Sequence, residues 1–212
     1  MENTTVKSNT SQRRYQVLVN FTEEGHIYRD IDGNKIPSVS EILQSSGASD
    51  FSFVSQDVLE RSQRFGTAFH RAAHLMDQKK LKSYDPAMES WISNLRLWAE
   101  IAKPNWIKME QSIGSSAFGF AGTPDRFGDF LNEKNSVLDY KTGSYSPAHA
   151  IQTAAYQILV EECLKLKVKH RFTLYISDEK YNLVEHKDKN DKSIFMSMLQ
   201  VYNWKKSKGL IK

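Results

Sequence analysis

Between Ser55 and Asp77 the apolar residues Val58, Leu59, Phe65, Phe69, Ala72, Ala73 and Met76 return at spacings of three and four, the repeat of one buried helix face. His70 falls within that helix. A second helix is bounded at both ends. Asp85 caps it, Pro86 occupies its first turn, Met88, Trp91, Ile92, Leu95 and Ala99 face inward, and Pro104 lies beyond its end. From Trp106 to Thr142 the pattern becomes strand-like. Gly114, Gly119, Gly122 and Gly128 punctuate β-prone runs and Asn132 to Asn135 makes a polar turn, so a three-strand meander is expected. Pro147 behind Ser146 opens another helix, with Ile151, Ala155, Ile158 and Leu159 on its apolar side. Strands over Phe172 to Ile176 and Asn182 to His186 follow, then a terminal helix carrying Ile194, Phe195, Met198, Leu199 and Tyr202.

The start of the chain reads differently. Met1 to about Arg14 is polar and charged without apolar periodicity, and is expected to be a disordered arm. Two short strand-like runs, Tyr15 to Phe21 and His26 to Ile31, carry turn signals at Glu24-Gly25 and Asp32-Gly33 and predict a hairpin. Pro37 to Leu43 looks like the start of a helix, with Ser38 as N-cap three residues before Glu41. No repeat or linker interrupts the order of elements. The expectation is a single α/β domain with a helical insertion.

Composition narrows the class. The chain has 212 residues, 40% apolar and 25% charged, which suits one sizeable globular domain and disfavours a collagenous, disordered or membrane protein. No run approaches the length of a spanning helix and the polar start lacks the core of a secretory signal, so the chain is expected in the cytoplasm. Its one cysteine, Cys163, can make neither an internal disulfide nor a multi-thiolate metal site, and is expected to be buried filling. Charge is unevenly spread. Residues 163–212 hold 12 Lys and Arg against 5 Asp and Glu, whereas the rest of the chain is net acidic. That asymmetry fits a basic surface for a polyanion beside a body that gathers carboxylates, and equally a solvated lysine-rich face.

The candidate chemistry lies in the strand Ser136 to Thr142. Alternation puts Val137, Asp139 and Lys141 on one side and Leu138 and Tyr140 on the other. In isolation an Asp–Lys pair on a sheet is an ordinary ion pair. The preceding strand, Phe120 to Phe127, changes that, because Asp125 follows Pro124, which cannot donate to the ladder and should bend or fray the strand. If the two strands pair, Asp125 approaches Asp139, and neighbouring carboxylates repel unless a proton or a cation lies between them. Oxygen donors suit Mg²⁺ or Mn²⁺, and Lys141 alongside can orient or activate a water.

Gly122-Thr123-Pro124-Asp125, followed fourteen residues on by Asp139-Tyr140-Lys141, resembles the PD-(D/E)XK nuclease superfamily. The likeness is closest to its RecB-type branch, which adds a helical histidine preceded by a glycine, here Gly66 to His70, and a Gln-x-x-x-Tyr helix, here Gln152 to Tyr156. The ordered spacing over residues 66–156 carries the signal, since each short motif is weak alone. Small phage-encoded exonucleases of this branch also begin with a hairpin and a segment similar to Pro37 to Leu43. The resemblance implies a restriction-endonuclease-like mixed sheet flanked by helices. It implies one nuclease domain over 15–212, with a catalytic core of about 55–187 and a C-terminal helix of about 191–207. It also implies that His70, Asp125, Asp139 and the Tyr140 carbonyl ligate the metal, that Lys141 stands by the attacking water, and that Gln152 and Tyr156 contact substrate phosphate. Gly66 is expected where the helix must approach the sheet and its metal. Glu110 matches an acidic position that helps bind metal or holds the site together, and His74 is given to a supporting role or to packing.

The reaction implied is DNA hydrolysis to 5′-phosphate ends, by an exonuclease rather than a restriction enzyme because no separate target-recognition domain is visible. Phage recombination, replication or repair would be its setting. Tyr145, Trp106 and Trp204 can stack on unpaired bases, with core packing the ordinary use of each tryptophan. The rival is a catalytically silent nucleic-acid-binding or interaction protein on the same fold. An acyl-transfer reading of Lys141-Thr142-Gly143 lacks a Ser-x-x-Lys partner, and a nucleotide-driven motor lacks its phosphate loop, so no nucleotide cofactor is expected. A helicase or single-strand-annealing partner would be a separate chain, and the oligomeric state stays open.

Overall fold

The computed structural model describes residues 19–22, 25–49 and 54–211. The expected arm over 1–14 and the first residues of the first strand lie outside them. In chain order come β1 (Asn20–Thr22), β2 (Ile27–Arg29), β3 (Lys35–Ile36), α1 (Val39–Ser45), α2 (Gln56–Asp77), a 3₁₀ turn (Pro86–Met88), α3 (Glu89–Ala102), β4 (Asn105–Met109), β5 (Ile113–Ser115) and β6 (Phe120–Gly122). Then follow β7 (Arg126–Phe130), β8 (Glu133–Lys141), α4 (Ala148–Cys163), β9 (His170–Ile176), β10 (Tyr181–Glu185) and α5 (Asp191–Ser207).

The central sheet has the order β10-β9-β8-β7-β4. Its neighbours are antiparallel except β8 and β9, which run parallel because α4 carries the chain back between them. Side-chain alternation on β8 sends Val137 into one core and Leu138 and Tyr140 into the other. The first core joins Val137 and Phe127 to Ile42 of α1, Leu159 of α4 and Phe195 and Leu199 of α5. The second joins Leu138, Tyr140, Phe172 and Leu174 to Phe69 and Ala73 of α2 and Ile92, Leu95 and Trp98 of α3. The fold is thus a mixed sheet between two helical layers, as the sequence predicts.

The meander is not simple. Between β4 and β7 the chain inserts a separate hairpin, β5 with β6, whose strand residues are all buried. A short isolated hairpin is marginal in water, and this one is stabilised by covering: Gly122 leaves no room for a Cβ, which would meet Tyr156 of α4 and Val39 of α1 at 3.0 Å. The expected strand Phe120 to Phe127 is accordingly two strands, broken at Thr123-Pro124-Asp125 where the proline interrupts the ladder. At the chain's start β1, β2 and β3 form a three-stranded sheet rather than a bare hairpin. It is tied to the body by a bridge between Ser38 and Ala121 and by the Ala121 N–H donating to the Pro37 carbonyl at 2.9 Å. Ser38 caps α1 in a reciprocal box with Glu41, as read from the sequence.

Candidate active site

The break before β7 delivers Asp125 to the end of a ladder in which Arg126 sits opposite Leu138, so Asp125 comes alongside Asp139 on β8. Asp125 Oδ2 accepts the Tyr140 backbone N–H at 2.7 Å, which fixes the carboxylate across the strand pair. From the helical layer α2 sends His70 down to Asp125, with Nδ1 3.3 Å from Oδ1. Lys141 Nζ lies 2.5 Å from Asp139 Oδ2. These four side chains line one cavity of about 310 Å³, together with Glu110, Gln152 and Tyr156. On α4, one turn apart, Gln152 Nε2 donates to the Tyr156 hydroxyl at 3.0 Å, so both polar groups face the same space.

Burial and charge divide the two carboxyls. Asp139 is 2% exposed, and burial, helped by the charge of Asp125, raises its pKa to about 6 despite Lys141. Burial also opposes ionisation of Asp125, but His70, Lys141 and Arg126 outweigh it and bring the group down to about 2. The His70 imidazole is held above its ordinary pKa: burial alone would lower it, and the Asp125 carboxylate overrides that. Burial pushes the Tyr156 phenol well above the usual range, so it stays a neutral hydroxyl.

Beneath the carboxylates lies a charge cluster that the sequence pattern gave no reason to expect. Arg126 is 0% exposed. Its Nε donates to Asp77 at 2.7 Å, its Nη1 to the Asp125 carbonyl at 2.7 Å and to Glu110 at 3.2 Å, and its guanidinium lies 5.0 Å from the Tyr140 ring centre. The cluster ties the end of α2 to β7 and β8. Only position betrays it in the sequence, as an arginine following Asp125. Glu110 adopts φ +46 and donates its backbone N–H to the Asp125 carbonyl, while its side chain meets Arg126 and, at 3.5 Å, His74. His74 therefore belongs to the support around the cavity, and its Nε2 is hydrogen-bonded to Gln78.

Several sequence-based expectations are corrected. Gly66 is not forced by crowding: a Cβ there would meet only the Thr142 hydroxyl oxygen at 3.7 Å, an ordinary contact. The part expected of Tyr140 is its backbone carbonyl's; its ring packs in the core, and its backbone N–H donates to Asp125. Trp106 packs against Trp98 in the core, the ordinary use expected of it. Trp204 does not pack inside, being 55% exposed, and Tyr145 is exposed beside Tyr175. Cys163 is buried, as expected, and burial raises its thiol to about 12. The residues missed altogether are Phe21, His26 and Tyr28, which wall the cavity from the N-terminal sheet.

The donor set around the cavity is carboxylate oxygen and imidazole nitrogen, which suits Mg²⁺ or Mn²⁺. Asp139 Oδ2 is buried and its partner is the Lys141 ammonium, so a positive charge already stands beside this carboxylate. Among the described residues no three His, Cys, Asp or Glu side chains are already drawn together as a ligand cluster, since His70 and Lys141 instead hold one carboxylate each. The groups present fit a hard divalent ion by the chemistry of their donors.

No family model matches the chain, and no curated protein matches its sequence. Among solved structures it is similar to the crystal structure of SSO0001, with TM-score 0.38 and 15% identity over 77% of this chain and 72% of that one. It is also similar to an alkaline exonuclease, LHK-Exo, from Laribacter hongkongensis, with TM-score 0.35 and 12% identity over 82% of this chain and 94% of that one. The same exonuclease in complex with dAMP matches at TM-score 0.33 and 14% identity, over 83% and 95%. These are distant likenesses of shape.

Proposed function

We propose that this protein is a divalent-metal-dependent DNA nuclease of the PD-(D/E)XK kind, working as an exonuclease. One observation supports the reading above all: His70 of α2, Asp125 of the break before β7, and Asp139 and Lys141 of β8 meet in one cavity. A Mg²⁺ or Mn²⁺ ion held by His70, Asp125, Asp139 and the Tyr140 carbonyl would act as a Lewis acid on the phosphate and lower the pKa of a bound water. Lys141 offers its ammonium to the water and to the charge that grows on the phosphoryl oxygens. Gln152 and Tyr156 present an amide and a neutral hydroxyl as donors to a neighbouring phosphate. The water oxygen bonds to phosphorus and the bond from phosphorus to the 3′ oxygen breaks. One proton goes to that oxygen and the other to solvent, leaving 5′-phosphate and 3′-hydroxyl ends.

The test is hydrolysis of end-labelled linear DNA and of closed circles with added Mg²⁺ or Mn²⁺. Linear DNA should be degraded from its ends and circles spared, with chelator abolishing the reaction. Asp139→Ala and Lys141→Ala should each slow it about 100-fold or more. Undiminished cutting by either variant would refute the site, and metal-dependent DNA binding without any product would favour a silent binding protein.

A further inference from the structure

The cavity has one wall that the hydrolytic chemistry does not use. Phe21 of β1, with His26 and Tyr28 from the next strand and its approach, lines it together with the polar groups of α2 and α4. The three rings lean on one another, with Phe21 4.8 Å from Tyr28, 5.0 Å from His26 and His26 5.3 Å from Tyr28 between ring centres. The shelf is anchored. Tyr28 is 1% exposed, and its hydroxyl shares a hydrogen bond of 2.8 Å with Thr123, which shares another of 2.8 Å with Ser112. Thr123 stands two residues before Asp125, so the rings are wired to the loop that carries a carboxylate. Phe21 is half-buried and His26 exposed, leaving ring surface free within the cavity. His26 holds φ +50 in the turn after Gly25, a left-handed conformation that asparagine, aspartate and histidine adopt more readily than other side chains.

We propose that Phe21 and His26 form a stacking shelf for one unpaired nucleobase of a DNA single strand whose phosphate lies at Asp125 and Asp139. The inference rests on the nuclease reading and names its substrate class. Phenylalanine has no hydrogen-bonding group with which to read a base, so its contact is with the π-face and tolerates any sequence. A base inside a duplex has both faces covered by its neighbours and cannot offer one. The cavity of about 310 Å³ stands at the small end of the range for ligand sites.

The experiment measures, by fluorescence anisotropy in chelator, the binding of short single-stranded DNAs in which an abasic site is moved along the strand. The wild-type protein should lose roughly 10-fold in affinity at one position of the strand. Phe21→Leu, which keeps the apolar volume, and His26→Asn, which tolerates the left-handed backbone, should each reduce that loss to about 2-fold or less. Because the two substitutions act on different residues, failure of one variant to fold leaves the other to decide. Equal binding of intact and abasic strands by the wild type, or an undiminished penalty in a folded variant, would overturn the shelf. Cleavage of the same strands with Mn²⁺ separates the two readings. Cutting without any positional abasic effect sinks the shelf alone, whereas strands neither bound nor cut sink the nuclease assignment with it.

Discussion

Asp125 and Asp139 share a cavity and are both almost fully buried, yet their neighbours pull them in opposite directions. Asp139, brought up to about 6, holds its proton more tightly folded than unfolded, so its contribution to stability is present below pH 4 and lost as pH rises through 6. Asp125, brought down to about 2, contributes stability that is present above pH 4 and lost only as pH falls through 2. Between pH 4 and 7, therefore, the Asp139 carboxyl is the one of the pair that titrates. In chelator, the unfolding free energy of wild type relative to Asp139→Asn should fall as pH rises across that window, measured by denaturant titration at each pH. A difference that is flat or rises would show that Asp139 is not the destabilised acid. Its alternation with Lys141 was legible from β8 alone. The Arg126 cluster was not, because its partner Asp77 lies 49 residues away and periodicity says nothing of which distant side chain fills a buried gap.

At the level of elements, the helices were read well because each carries its own signals: the Ser38–Glu41 box, the Asp85–Pro86 start and the apolar faces of α2 and α4. Strand pairing was read less well, because alternation gives a strand's faces and not its neighbours. The β5–β6 hairpin shows this, its strands pairing with each other rather than joining the central sheet. Pairing of β4 with β7 depends on Gly128, where a Cβ would stand 2.3 Å from the Asn105 carbonyl oxygen and 2.8 Å from the Trp106 Cα. Both are backbone atoms and cannot swing aside. Gly128→Ala should cost about 3 kcal/mol or more by chemical denaturation, as overpacking does when the backbone must move. Gly143→Ala, with nothing within 4 Å and an unstrained backbone, should cost less than about 1 kcal/mol. Equal stability of the two variants would contradict the close packing of β4 on β7.

Across the whole molecule, the basic excess of the last fifty residues does not converge on the cavity, whose walls include no residue of α5. Part of it is spent locally, Lys192 on Glu161, Lys187 on Glu185 and Lys205 on the Ser45 carbonyl. The cavity instead balances acids against His70 and Lys141, and no helix among the described residues is long and apolar enough to cross a membrane. The motifs were legible because residues 122–141 hold both carboxylates and the lysine, on β8 and in the break that leads into its neighbour β7. The aromatic wall was not, because Tyr28 and Thr123 meet across 95 residues. The central claim is that the carboxylates of Asp125 and Asp139 serve one ion. Calorimetric titration of Mn²⁺ into the wild type, Asp125→Asn and Asp139→Asn tests it most directly. Binding should be seen in the wild type and lost or weakened at least about 10-fold in each variant, whereas unchanged affinity in either would show that the carboxylates do not share a metal.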